Sequence, residues 1–223
     1  MLSQRDFARL VDGPAVDREI DRLTKKRGGW LDAAQILSRR LNCTLDWEDF
    51  GPASSRYRII GSRGEAVLFW DDLTKDRIIK LRGHEENGFG TAGFGSILIR
   101  NERGLIDYGP STMEQALERE RLSWENLGFG CAFEDVIGDG AGLLLAQRFI
   151  RGSAPTNKEI HGWMIAHGWE PLTTRRDVNV TLRDYAWHRN GIGAFDANDT
   201  NFIKCDADGE LYPIDLIVWP MPT

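Results

Sequence analysis

The residues best suited to chemistry lie between Gly193 and Val218, in the run GAFDANDTNFIKCDADGELYPIDLIV. Asn201 follows Asp196 by five positions, and a further carboxylate, Asp215, comes after a turn rich in Asp and Gly. A carboxylate, an amide and a second carboxylate are what phosphoryl transfer needs: a base or orienter for an attacking hydroxyl, and two hard oxygen donors for Mg²⁺. To act together they must be brought to one end of a folded-back segment. The pattern predicts a hairpin: a short strand at 201–203, turn residues at 206–209, and a second strand over 211–218 that carries Asp215.

Other reactive residue types are less well arranged. Cys43, Cys131 and Cys205 are odd in number and contain no Cys-x-x-Cys pair, which reads as reduced structural thiols. His84, His161, His167 and His188 lack metal-ligand spacing. The Gly-Phe-Gly repeats at 88–95 are followed by no Gly-Lys-Ser/Thr, so a phosphate loop of that type is not expected there. Most of the tryptophans sit in apolar strands or helices, where they read as core.

The elements that must position these groups change character along the chain. Residues 1–54 read as three helices, at 3–10, 14–26 and 30–41, with Val16, Ile20 and Leu23 on one apolar face of the second. They are expected to form a cap on the next domain; a partner-docking module is the alternative. From residue 55 the pattern turns to strands at 56–60, 66–70 and 77–81, joined by Gly61-Ser62-Arg63-Gly64 and by a turn at 71–74. Lys80 stands among Ile78, Ile79 and Leu81, a strand too apolar to be freely exposed, although a solvated edge-strand lysine is the other reading. An irregular stretch from 83 to 112 contains a hairpin, 96–100 with 105–108, around Asn101-Glu102-Arg103-Gly104. A helix follows to residue 127, opened by the capping box Ser111-x-x-Glu114. Two strands, 131–137 and 143–150, flank Gly138-Asp139-Gly140, and a helix over 157–167 has Ile160, Trp163 and Met164 as its core stripe. The alternation at 178–182 predicts a strand pair within 175–187.

At 223 residues, the chain suffices for one sizeable core, or one domain with a small appendage. No apolar run approaches the roughly 18 residues a membrane helix needs, and the first residues are not those of a secretory signal, so a cytoplasmic protein without membrane contact is expected. The net charge of -6 argues against a general nucleic-acid binder.

Taken in order, Phe149-Ile150-x-Gly152 to Pro155-Thr156, Trp169-Glu170-Pro171, Asp196 to Asn201-Phe202, and Pro213-Ile214-Asp215-Leu216-Ile217-Val218 resemble the kinase domain of polyvalent proteins. These are bacterial and phage proteins carried largely on mobile elements, within the protein-kinase-like superfamily. The resemblance runs from residue 56 to the C-terminus and leaves the N-terminal segment out. It implies an α+β, protein-kinase-like two-lobed fold over 55–223, with a five-stranded antiparallel N-lobe sheet and one helix (55–150), a hinge at 147–152, and a reduced, truncated C-lobe (153–223). The helical extension (1–54) precedes it.

The roles it implies are those of an ATP- and Mg²⁺-dependent kinase with its nucleotide between the lobes. Gly61, Ser62 and Gly64 would lie over the phosphates, and Lys80 would reach the α- and β-phosphates. Glu120 would orient Lys80, with Glu118 and Glu125 as alternatives and a surface charge pair as the bland reading of each. Gln147, Arg148 and Phe149 would meet the adenine edge, Asn201 and Asp215 would hold the metal, and Asp196 would orient or deprotonate the acceptor. The glycine turn is thinned, since Arg63 and Ala66 stand where glycine belongs in a full G-x-G-x-x-G, and a plain hairpin turn would carry the same residues. Ala194-Phe195 stands in place of His-Arg, and Leu216-Ile217 in place of Phe-Gly. Three functions follow: a minimal kinase acting on a protein Ser/Thr or another hydroxyl, a pseudokinase or nucleotide-binding module, and a small-molecule phosphotransferase.

Overall fold

Alternating β-branched and aromatic residues build the first sheet. The computed structural model describes residues 56–63, 65–83, 94–137 and 142–223. The expected N-terminal helices, Gly64, residues 84–93 of the irregular stretch and the 138–140 turn lie outside them. Strands β1 (Tyr57–Arg63), β2 (Ala66–Asp71), β3 (Arg77–Gly83), β6 (Ala132–Ile137) and β7 (Gly142–Arg148) pair in the order β1-β2-β3-β7-β6, antiparallel throughout. One face of the sheet buries Tyr57, Val67, Phe69, Ile79, Leu81 and Leu144 in a single cluster. A bulge between Ile59 and Gly61 shifts the register of β1.

A buried charge fastens the strand ends. Asp71, closing β2, accepts from Arg77 Nε at 2.8 Å and Arg56 Nη2 at 3.3 Å, and its other oxygen accepts from the Leu73 and Thr74 amides. Arg77 reaches on to Glu134 in β6 at 2.9 Å.

The described residues divide into two compact units: those within 56–95, 111–117 and 131–149 form one, and 96–110, 118–130 and 150–223 the other. Helix α1 (Met113–Leu127) is shared between them. Its capping box is Thr112-x-x-Gln115, with Gln115 N donating to Thr112 Oγ1 and Thr112 N to Gln115 Oε1, one residue later than expected. Ser111 is buried instead, and Glu114 lies in the first turn.

Within the second unit, β4 (Ser96–Arg100) and β5 (Ile106–Pro110) form a hairpin. Strand β8 (Gly152–Ser153) precedes helix α2 (Asn157–Ala166), whose cap Thr156 and Glu159 bond reciprocally. Strands β9 (Glu170–Pro171), β10 (Trp187–Arg189), β11 (Ile192–Phe195) and β14 (Ile217–Pro220) make one sheet, ordered β14-β11-β10-β9. Strands β12 (Phe202–Cys205) and β13 (Leu211–Pro213) join β8 in another, ordered β13-β12-β8. Ile160, Met164, Trp169, Trp187, Phe202 and Val218 share one core, and Leu98, Ile106, Val178, Phe195 and Ile217 another.

Two expectations are corrected in this unit. The strand expected over 211–218 is two strands in two sheets, with 214–216 as the crossing between them. Residues 178–182 form no strand pair; they make one parallel bridge, Ile106 with Val178, followed by a 3₁₀ turn at Arg183–Tyr185. Among the described residues, the protein is thus a mixed α and β structure with two α-helices and antiparallel sheets, and no helix is long and apolar enough to cross a membrane.

Candidate functional site

Asp196 follows the last residue of β11, and its backbone is left-handed, with φ of 64°. That region is uncommon outside glycine, and Asp and Asn are among the few residues that enter it readily. The side chain is then held from two sides. Asn201 Nδ2 donates to Asp196 Oδ2 at 2.7 Å and to its carbonyl at 2.9 Å, while Asn198 Nδ2 donates to Oδ1 at 2.7 Å. Asn198 Oδ1 in turn accepts from Thr200 N and Oγ1. The loop is therefore built from its own polar side chains.

Two ladders bring the third member to the same place. Phe195 pairs with Ile217 at one end of the β11–β14 ladder, so Asp196 and Asp215 flank that end. Phe202 pairs with Pro213 in the β12–β13 ladder, and beyond it Ile214 N donates to the Asn201 carbonyl at 2.8 Å. Asp196, Asn201 and Asp215 are thus gathered by the folding of one short segment, with Asp215 exposed in the crossing between sheets.

Because Asn201 commits Nδ2 to Asp196, Oδ1 is its remaining polar atom. An amide oxygen and an exposed carboxylate are hard donors, and this set fits Mg²⁺, which usually takes one or two protein oxygens and fills its shell with phosphate and water. Among the described residues, no group of three or more His, Cys, Asp or Glu is clustered for a metal, so the fit is to this partial shell and not to a closed cage.

Glu120 lies on the stretch of α1 that belongs to the second unit. It is buried, with Arg119 Nη2 at 3.8 Å, and it lines a small pocket together with Ser123, Gly130, Ile214 and Asp215. The alternatives behave as surface charges: Arg121 donates to Glu118 at 2.6 Å and also pairs with Glu125. Those two carboxylates hold the Arg121 guanidinium above its ordinary range.

In the first unit, Lys80 occupies the central strand and is buried, paired with Leu68 on one side and Leu145 on the other. The solvated edge-strand reading is excluded by this placement. Gly61 pairs with Leu68 and so falls in the same cross-strand row as Lys80, two strands or about 10 Å away. Ser62 pairs with Val67. Gln147 is buried opposite Ile78, and Arg148 is exposed opposite Arg77. The Phe149 N–H donates to the Asp76 carbonyl at 2.8 Å, and its ring meets Trp70 edge-on. That N–H is committed, so an adenine edge would have to use other main-chain groups of this stretch.

Sequence reading missed Asn198, which holds Asp196, Thr200, which holds Asn198 in turn, and the Asn190-Gly191 turn that feeds β11. The signals were present: clustered Asn, Asp and Thr bond locally to backbone, and Asn-Gly with both φ positive, 50° and 80°, marks a two-residue hairpin turn. Cys131 and Cys205 are free thiols, and the described histidines pair with Glu170 (His188, 3.2 Å), with the Trp187 ring (His161) and with the Trp163 carbonyl (His167). Comparison with protein-family models, with curated proteins and with solved structures finds no match to this chain.

Proposed function

We propose that the chain is an ATP- and Mg²⁺-dependent phosphotransferase of protein-kinase-like fold, acting on a protein Ser/Thr or another hydroxyl. The observation that carries the reading is the gathering of Asp196, Asn201 and Asp215 at the ends of two adjoining ladders. Further support comes from the five-stranded antiparallel sheet with a buried lysine on its central strand, and from the buried Glu120. Asp196, fixed by two amides, accepts the hydroxyl proton as the acceptor oxygen bonds to the γ-phosphorus and the bond from that phosphorus to the bridging oxygen breaks. Asn201 Oδ1 and Asp215 would hold Mg²⁺, which supplies charge neutralisation of the phosphates when bound. Lys80 is assigned to the α- and β-phosphates. Transfer of labelled phosphate to the chain itself, to generic protein and to small hydroxyl compounds tests the reading. Asp215→Ala should lose most of the transfer with its unfolding midpoint little changed, and unchanged ATP turnover would refute the metal assignment.

A binding-only reading has one observation in its favour: both Asp196 oxygens already accept a side-chain amide, as in a purely structural anchor. Asp196→Asn separates the two. A catalytic aspartate gives lost transfer with nucleotide binding kept, whereas a wild-type protein that binds ATP and transfers to none of the three acceptor classes supports binding alone.

A further inference from the structure

Away from these residues, the second unit contains an open groove of about 590 Å³, within the range of about 300–1,000 Å³ usual for small-molecule sites. Its walls are two turns distant in sequence that are joined through one carboxylate, Asp107, which stands 72 positions before Asn179. Asp107 Oδ2 accepts from Asn101 Nδ2 at 3.1 Å and from Asn179 Nδ2 at 2.8 Å, and Asp107 Oδ1 accepts from Tyr108 N. Each asparagine also fixes its own turn: Asn101 Oδ1 accepts from the Arg103 and Leu105 amides, and Asn179 Oδ1 from Thr181 N and Oγ1. Against partial burial, these neutral donors hold Asp107 in its ionised form, so its carboxylate, like that of Glu102, disfavours an anion on its own side of the groove.

The cations lining the groove are differently placed. Arg183 is tethered by Nε to the Val178 carbonyl and by Nη2 to the Arg176 carbonyl, and among the described residues Nη1 has no partner. Arg103 is exposed, and among the described residues its side chain makes no hydrogen bond or ion pair. A guanidinium whose orientation is already fixed is a preorganised donor for a carboxylate or phosphate, and a second, mobile one can close on the same anion. Beside them, Leu105 and the 68% exposed Val180 supply apolar wall. Glu102, which also lines the groove, disfavours an anion on its side and so directs the charged end toward the arginines.

We propose that this groove binds a small organic oxyanion, a carboxylate or phosphate carried on an apolar body. The proposal is independent of the phosphotransfer reading. It is tested by titrating the full chain with phenyl phosphate, benzoate and inorganic phosphate, which separate the anion type from the contribution of the apolar body. At least one organic probe should bind more tightly than inorganic phosphate. Arg103→Ala, which removes an exposed side chain that makes no hydrogen bond or ion pair among the described residues, should weaken that probe about tenfold with an unchanged unfolding midpoint. Arg183→Lys, which keeps a donor for the Val178 carbonyl but loses the fork, should weaken it as well. Asp215→Ala should leave it intact. The proposal fails if no organic probe binds at millimolar concentration, if neither arginine variant changes the affinity, or if Asp215→Ala abolishes binding.

Discussion

Asn201 has two jobs that a single substitution can separate. Its Nδ2 holds the Asp196 carboxylate and carbonyl, and its Oδ1 is the assigned metal donor. Asn201→Asp keeps the shape and the oxygen but turns two donated hydrogen bonds into the approach of two carboxylates. Loss of hydrogen bonds to a charged acceptor costs about 1.5–3 kcal/mol, so urea unfolding at pH 7 without Mg²⁺ should show a destabilisation of that order. An unchanged midpoint would mean that the amide does not hold Asp196. The residue types and the five-residue spacing were legible in the sequence because both are local to one short segment. The left-handed backbone at Asp196 and the Asn198 bond were not, since both follow from how the loop closes on itself. Burial of Lys80 was foreshadowed by the apolar residues around it, but that of Glu120 was hidden, because a charged residue on a helix is compatible with either face until its neighbours are known.

Elements were easiest to read where their signal is local. The meander of β1 to β3 and the β4–β5 hairpin followed from alternation and turn residues, whereas the split of 211–218 into β13 and β14 did not. A mostly apolar run interrupted by Asp215 cannot by itself say that its first half pairs with β12 and its second with β11. The Asp71 cluster was missed for a related reason: the turn residue Asp71 meets Arg56 and Arg77 only once the strands are aligned. Burial alone would raise the Asp71 pKa, but the hydrogen bonds and charges of the two guanidiniums prevail and hold it below the ordinary 3.8. A carboxylate depressed in the folded state contributes stability above its unfolded pKa and loses it as the pH falls through the folded value. Acid unfolding should therefore steepen below pH 3.8, and Asp71→Ala should remove that component. Because the substitution removes an acceptor shared by Arg56 and Arg77, while Arg77 keeps Glu134, the cost at pH 7 should be about 1.5–3 kcal/mol by denaturant titration. Asp72→Ala, which breaks only the exposed pair with Arg58, should cost less than about 1 kcal/mol. Equal effects of the two would show that Asp71 does not fasten the strand ends.

For the whole molecule, the phosphotransfer reading makes a demand that neither unit meets by itself: Lys80, in the first, and Asp215, in the second, must act on one bound nucleotide. A double-mutant cycle measures this without reference to geometry. Lys80→Met keeps an unbranched stem in the buried strand and removes the charge, and Asp215→Ala removes an exposed carboxylate. Each should weaken the affinity for ATP in the presence of Mg²⁺. Residues that share a ligand couple by about 0.5–3 kcal/mol, whereas independent sites add to within about 0.5 kcal/mol. The double variant should therefore lose less than the sum of the singles. Chelation of Mg²⁺ supplies the second arm. If Asp215 acts through the metal, its substitution ceases to matter for ATP binding once EDTA is present, while the loss of Lys80 still counts, because a lysine meets phosphate oxygens directly. Strict additivity would separate the two residues and end the single-nucleotide reading. An Asp215 effect that survives chelation would leave the nucleotide in place and remove only the metal from the assignment.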